Sequence, residues 1–334
     1  MSAGDDIAVR LLAPEEASLL IGLIRCCYGE TYIDPSFYSE TMVGELLASG
    51  RLHSIGAFTE AGQLAGHMGI SVRAHGGSTA DAGMTLVDPA LRGRGIARRV
   101  AVGLAQQAMV LGLVGVHDYP VTVHAATQRI GAGFGVDTGL MLANMPGDVV
   151  FQEMETLAPG SRTSSLIRWL PFGVAPARSV HLPGRYREPI EALYAEASLE
   201  RTVLRSDERL GEHASELEHS YDERRKILRI AVTRAGSDLA AGVEAETREA
   251  AKRGALVAHV DLPLSDPAAP AATEALRTQG FSFAGLLPEY RDGDVLRLQW
   301  LADEVDETAF SVLSTDATQA IAALVLKDRA SMSG

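Results

Sequence analysis

The sequence predicts a mixed α/β protein: a mostly antiparallel sheet flanked by helices, an arrangement run through twice along the chain. Three observations predict it. Short apolar stretches of strand length are interleaved with helical faces of period 3.6. One long helix follows a glycine turn in the middle of the first half, as a crossover between neighbouring strands requires. Beyond the Pro- and Gly-containing stretch 171–178 the order of elements begins again. With 334 residues, two domains are expected, at 1–175 and 176–334.

In order, a strand over 7–12 precedes a helix from about residue 14, in which Leu19, Leu20, Leu23, Ile24 and Cys27 share a face. A second helix, 35–48, stops at Gly50. Strands 52–58 and 64–72 flank the turn 60–63 as a hairpin. A loop with Gly76, Gly77 and Ser78 leads to a strand ending at Val87. Then come the glycine turn and the long helix, with Ile96, Val100, Leu104, Ala108 and Leu111 inward. A strand at 114–123, a helix at 124–132 and strands at 138–142 and 164–170 close the first half.

The second half reads as a strand at 179–182 and a helix burying Ile190, Leu193, Tyr194 and Ala197. A strand at 227–232, a helix at 240–252, a strand at 255–262, a helix at 271–278 and strands at 281–287 and 295–301 follow. A last helix, with Ile321, Leu324 and Val325 on one side, is expected to dock. The halves also rhyme. The stretch 134–140, with Gly135 and Gly139, matches 279–286, with Gly280 and Gly285, at a one-residue offset. This reads as a diverged internal duplication.

Composition narrows the function. Apolar residues make up 46% and charged residues 22%, a globular balance, and no apolar run reaches the length of a membrane span. A net charge of −13 argues against nucleic acid or an anionic membrane as the main partner. The N-terminus carries Asp5 and Asp6 rather than a basic region, so no secretory signal is expected. The only cysteines, Cys26 and Cys27, are helix neighbours whose side chains point apart, which suits a cytoplasmic chain. The nine histidines show no metal-ligand spacing, so no metal is expected.

The informative stretch runs from Leu86, Val87 and Asp88 through Pro89 to Arg92, Gly93, Arg94, Gly95, Ile96 and Ala97, with Arg98 and Arg99 behind. It sets a strand end against a helix N-terminus through a loop of little bulk. Unpaired backbone N–H groups and the helix dipole favour an anion there, and glycine lets a diphosphate approach the backbone closely. The bland alternative is an ordinary strand-to-helix turn with solvated arginines.

The ordered string, Arg92, Gly95 and Ala97 with the lead-in Val87 and Pro89, resembles the pyrophosphate motif of the GNAT superfamily of N-acetyltransferases. The flanking element order agrees over about 160 residues. The resemblance implies the acyl-CoA N-acyltransferase fold, with acetyl-CoA or another acyl-CoA as co-substrate. It also implies a strand around Leu86 to Asp88 that splays from its neighbour to receive the pantetheine arm. A substrate amine then attacks the thioester directly, a backbone donor holding the oxyanion.

The sequence departs from that family in its later motif. The family's Asn-x-x-Ala-x-x-x-Tyr places His124 at the Asn position, Thr127 at the Ala position and Gly131 where a general-acid tyrosine belongs. The candidate acid–base groups are His124, Asp81 and Tyr119. Asp81 lies near where relatives carry a base, and is otherwise a solvated carboxylate. His124 is otherwise a capping or packing residue. Tyr119 is a substitute hydroxyl, and His67 reads as structural. The second half lacks the cofactor turn: 232–238 does not complete the glycine spacing, and Glu244, Glu246 and Glu249 make the next helix acidic. It either walls the acceptor site or stabilises the first domain. The expected function is N-acyl transfer to the amine of a small metabolite, an acidic cleft drawing in the ammonium. The alternatives are a non-catalytic acyl-CoA sensor and other acyl-CoA chemistry on the same fold; oligomeric state is left open.

Overall fold

The computed structural model describes residues 7–73, 77–152, 161–206, 209–302 and 312–332. The acidic N-terminus and Gly76 of the glycine loop lie outside them. The first half runs β1 (Ala8–Leu11), α1 (Ala17–Tyr28), α2 (Glu40–Ala48), β2 (Leu52–Phe58), β3 (Leu64–Ser71), β4 (Thr79–Val87), α3 (Ile96–Val110), β5 (Gly115–Asp118), α4 (Ala126–Gly131), β6 (Val136–Pro146) and β7 (Arg162–Pro171). The second runs β8 (Arg178–Val180), α5 (Arg187–Glu196), β9 (Arg201–Val203), β10 (Glu216–Asp222), β11 (Ile227–Arg234), α6 (Leu239–Lys252), β12 (Val257–Pro263), α7 (Ala269–Arg277), β13 (Ser282–Leu287), β14 (Val295–Leu301) and α8 (Asp316–Ala330).

Amphipathic patterning accounts for the helices. In α1, Leu20, Leu23, Ile24 and Cys27 are buried while Cys26 is exposed, so the two thiols do point apart. The expected 35–48 helix divides, because Ser39 ends a short 3-10 turn and its hydroxyl accepts from Met42 N–H to start α2 anew. The expected strand at 114–123 stops at Asp118. Pro120, which lacks an N–H, follows two residues later, and only a lone bridge at Val121 continues the pairing. His124 consequently lies before α4 rather than inside it.

Twelve strands form one sheet in the order β1-β2-β3-β4-β5-β7-β6-β13-β14-β12-β11-β10, while β8 and β9 pair separately. Among the described residues the only parallel pairings in the large sheet are β4 with β5 and β11 with β12. The segment β4-α3-β5-α4-β6-β7 thus has its topological double in β11-α6-β12-α7-β13-β14. The two runs meet where β6 and β13 pair antiparallel, Gly139 opposite Gly285. Each of these glycines follows a bulge, at the 137–139 and 283–285 register shifts. A Cβ on Gly139 would collide with the Ala284 carbonyl, so the close approach requires glycine there.

Gln299 ties the junction: its Nε2 donates to Leu140 and Phe283 carbonyls and its Oε1 accepts from Leu142 N–H. Helix α8 packs over both β6 and β13. It docks as the sequence predicts, burying Ile321 and Val325, with Asp328 accepting from Arg277 and Tyr186. No helix among the described residues is long and apolar enough to cross a membrane.

Candidate functional site

The site begins where two parallel strands part. β4 pairs with β5 only from Thr79–Gly115 to Ala82–Asp118; past Ala82 it continues without that neighbour. A bulge against β3, with Met84 at φ +52°, turns the remainder of β4. Asp88 N–H donates to Ala65 C=O (3.0 Å), so by the two-residue alternation Leu86 and Asp88 face β3 with their amides. Val87 alone of the expected trio turns its backbone to the opening. Its carbonyl there receives the Cys27 thiol at 3.5 Å.

The turn follows directly. Gly93 (φ +79°) and Gly95 (φ +74°) both adopt the left-handed conformation, and Gly95 is the N-cap of α3. Nothing lies within 4 Å of a Cβ built on either, so their backbone is open to a ligand. Ile96 is buried and offers only its backbone. Asp88 is spent within the protein, its carboxylate accepting from Ala90 N–H and Gln63 Nε2. Arg92 donates to the Gln152 carbonyl at 2.9 Å, while Arg94 and Arg98 are exposed.

Between the open edge of β4, this turn, α4 and the end of α1 lies a pocket of about 410 Å³. Its outer wall is the segment 149–152, pinned by Thr31 to Val150 and by Cys27 C=O to Gln152 N–H. The Phe151 ring stands 5.3 Å from Tyr28 and 5.2 Å from His124.

The three acid–base candidates are placed differently. Tyr119 lines the pocket and donates to Asp81 at 3.1 Å. Burial, and then the Asp81 carboxylate, push the Tyr119 hydroxyl well above its ordinary value, so it stays protonated. Asp81 does not reach the pocket itself. Arg73 grips it at 2.5 and 3.1 Å and also reaches Thr79 and His117. Asp81 is thus a half-buried, ion-paired carboxylate rather than a freely solvated one, and among the described residues it touches the pocket lining through Tyr119. His124 lines the pocket with Nδ1 buried and, among the described residues, lacking a hydrogen-bond partner. Burial, aided by Arg92, lowers its pKa, so the ring is neutral at pH 7. His67 is structural as expected, fully buried between Ser54 and the Met84 carbonyl.

The gap at Gly131 has a physical cause. A Cβ there would stand 2.7 Å from Arg168 Nη1. Arg168 is buried and bound to Asp137 at 2.6 Å, so its guanidinium fills the space a side chain at 131 would need. Sequence reasoning missed the group beside it. Asp118, the last residue of β5, is the only carboxylate among the described residues lining the pocket, and burial pushes it up to about 6. Nothing in a lone Asp before Tyr-Pro signals this. The described lining is therefore mainly aromatic and apolar, where the overall charge predicts an acidic cleft.

Among its described residues the second half shows no equivalent opening before α6. The residues before α6 are filled by the chain itself: Gly236 N–H donates to Ser215 Oγ and Ser215 N–H to Asp238. A Cβ on Gly236 would strike the His213 carbonyl. This half does reach the first: Arg162 donates to the Arg225 carbonyl at 2.7 Å, and Arg224 pairs with Asp148 at 3.2 Å beside the pocket wall. Among the described residues no group of His, Cys, Asp and Glu is arranged to hold a metal.

No family model matches the sequence, and no curated protein matches it. Solved structures resemble about half of the chain. An N-acetyltransferase of Staphylococcus aureus is 14% identical, covering 50% of this chain and 99% of that one, with a TM-score of 0.40. The PaiA N-acetyltransferase of Thermoplasma acidophilum, in complex with coenzyme A, is 14% identical over 51% and 99%, with a TM-score of 0.36. A GNAT-family N-acetyltransferase of Escherichia coli in complex with CoA is 18% identical over 48% and 81%, with a TM-score of 0.32.

Proposed function

We propose that this chain is an acyl-CoA-dependent N-acyltransferase of the GNAT type, with acetyl-CoA as donor and the amine of a small molecule as acceptor. The observation that carries the reading is the open, left-handed Gly93–Gly95 turn at the head of α3, beside the edge that β4 presents after leaving β5. Backbone N–H groups from Gly93 to Ala97, with Arg92 and Arg94, are assigned to the diphosphate. The Val87 backbone is assigned to the amide-bearing arm behind it. Residues 1–175 form the catalytic unit in this reading, and 176–334 a diverged copy that has lost the turn.

In the reaction the amine nitrogen bonds to the thioester carbon, the C–S bond breaks, and the thiolate leaves with the electron pair. The amine must lose a proton and the thiolate gains one. Tyr119, oriented by Asp81, is proposed to take the amine proton as it passes its own to Asp81. Asp118 in its protonated form is proposed to give the thiolate its proton, with neutral His124 able to donate a hydrogen bond to the sulfur.

A second reading, a non-catalytic acyl-CoA sensor, is motivated by Arg168 filling the space at Gly131. Calorimetry with CoA and an assay of CoA release from acetyl-CoA with an amine panel separate the two. Binding with turnover is expected; binding without turnover of any amine selects the sensor, and no binding removes both.

A further inference from the structure

We infer that the acceptor is a monoamine carried on an apolar body, of arylalkyl or branched-alkyl kind; this rests on the acyl-transfer reading above. Away from the α3 turn the pocket is walled by Tyr28, Tyr32, Ile33, Met145, Val149 and Phe151. The aromatic rings form a continuous set, Tyr28 lying 5.1 Å from Tyr32 and 5.3 Å from Phe151, tilted by 57° and 58°. Rings so arranged bury an apolar group well, and their faces tolerate one ammonium on entry. Beyond the Tyr28 and Tyr32 hydroxyls they give nothing to a chain of polar groups, most of which would lose water unreplaced.

The described carboxylates near this end are already engaged. Glu30 pairs with Arg25, Asp34 accepts from Ser36, Asp148 pairs with Arg224, and Asp222 pairs with Arg225. Arg162, also at this end, has a side chain bonded only to backbone carbonyls among the described residues. Among the described residues at this end, a second ammonium, as in a polyamine, therefore meets guanidinium groups from both halves and no carboxylate without a partner. The lining carboxylate Asp118 sits at the end of β5 and accepts from Tyr119 N–H. The same apolar wall favours chemistry. Desolvation disfavours the charged ammonium, so a monoamine is held in the neutral form that attacks the thioester.

The test compares 2-phenylethylamine and isoamylamine with spermidine and lysine, using acetyl-CoA as donor. The apolar amines are expected to show kcat/KM at least about 10-fold higher, the scale on which an apolar pocket discriminates. Phe151→Ala is expected to lower kcat/KM for 2-phenylethylamine by about 10-fold, with the KM for acetyl-CoA unchanged. Spermidine or lysine as the better substrate overturns this inference and leaves acyl transfer intact. If no amine turns over while CoA binds, acyl transfer itself fails. Saturation-transfer NMR on the CoA-loaded protein then decides the pocket: contact to 2-phenylethylamine that spermidine does not displace supports it, and preferred binding of spermidine overturns it.

Discussion

The Tyr119 hydroxyl donates to the Asp81 carboxylate across 3.1 Å, at the point where β4 and β5 part. Tyr119 faces the pocket and Asp81 faces Arg73, so the carboxylate influences any bound amine only through the phenol. Tyr119→Phe and Asp81→Asn are each expected to lower kcat by on the order of 10²-fold, with CoA binding unchanged. Groups acting as one unit are not additive, so the double variant should lose no more than either single one. Steady-state kinetics on the three variants checks this. Unaltered kcat in Tyr119→Phe assigns the pair to structure alone, and additive losses break the unit.

What the sequence made legible follows from physical locality. The α3 turn was readable because Gly93 and Gly95 adopt conformations that branched side chains resist, and because a helix must start next to them. The rhyme between 134–140 and 279–286 was readable because both glycines serve one close contact, Gly139 against Gly285. The continuous sheet was not. β6 and β13 lie some 145 positions apart, and the sequence of a strand does not state its partner. Nor was the Arg168 guanidinium under Gly131 foreseeable, since it arrives from a strand after the helix it fills. Asp118 escaped notice because its character comes from burial, which only the fold supplies.

Asp118 should leave its mark on the pH profile. Burial raises its pKa to about 6, so it changes charge within the accessible range for activity. The kcat/KM profile is expected to bend near pH 6 in the parent and to lose that bend in Asp118→Asn. Asp118→Glu should keep a bend at a displaced pH. A bend that persists in Asp118→Asn belongs to another group and removes Asp118 from the chemistry.

Stability should fall on mild acidification. Burial lowers His67 to about 4 and holds His117 and His259 well below the usual imidazole range, Arg73 and Arg297 respectively adding to the effect. The neutral folded forms keep their stability above the unfolded value of about 6.5 and lose it as pH falls, since only the unfolded chain then takes up protons. Each histidine contributes about 1.4 kcal/mol per pH unit over that window, which for His67 ends near pH 4 at a total on the order of 3 kcal/mol. Asp118 has the opposite sign: its raised pKa relieves a penalty as pH falls through 6, offsetting one of the three. Urea melts between pH 7.5 and 5 should show a midpoint that falls with pH. A flat midpoint contradicts the burial of these rings as neutral species.

The asymmetry of the two halves gives the sharpest test of the turn. Before α3 the backbone is open, whereas before α6 the Ala235, Gly236 and Ser237 amides donate to Asp266, Ser215 Oγ and the His213 carbonyl, so calorimetry should find one CoA per chain. Gly95→Val is expected to abolish that binding, because the branched side chain enters the ligand's path and opposes a φ of +74°. Strain alone must be separated from blocked approach. Gly254, at φ +86° with nothing within 4 Å of a built Cβ, carries a similar backbone demand far from the pocket. Gly254→Val should therefore lose comparable stability, about 1–2 kcal/mol, and keep its CoA affinity. Gly236→Val would not serve as that control, since its side chain runs into the His213 carbonyl. Equal CoA binding by folded Gly95→Val, or two CoA molecules per chain, would detach the diphosphate from this turn.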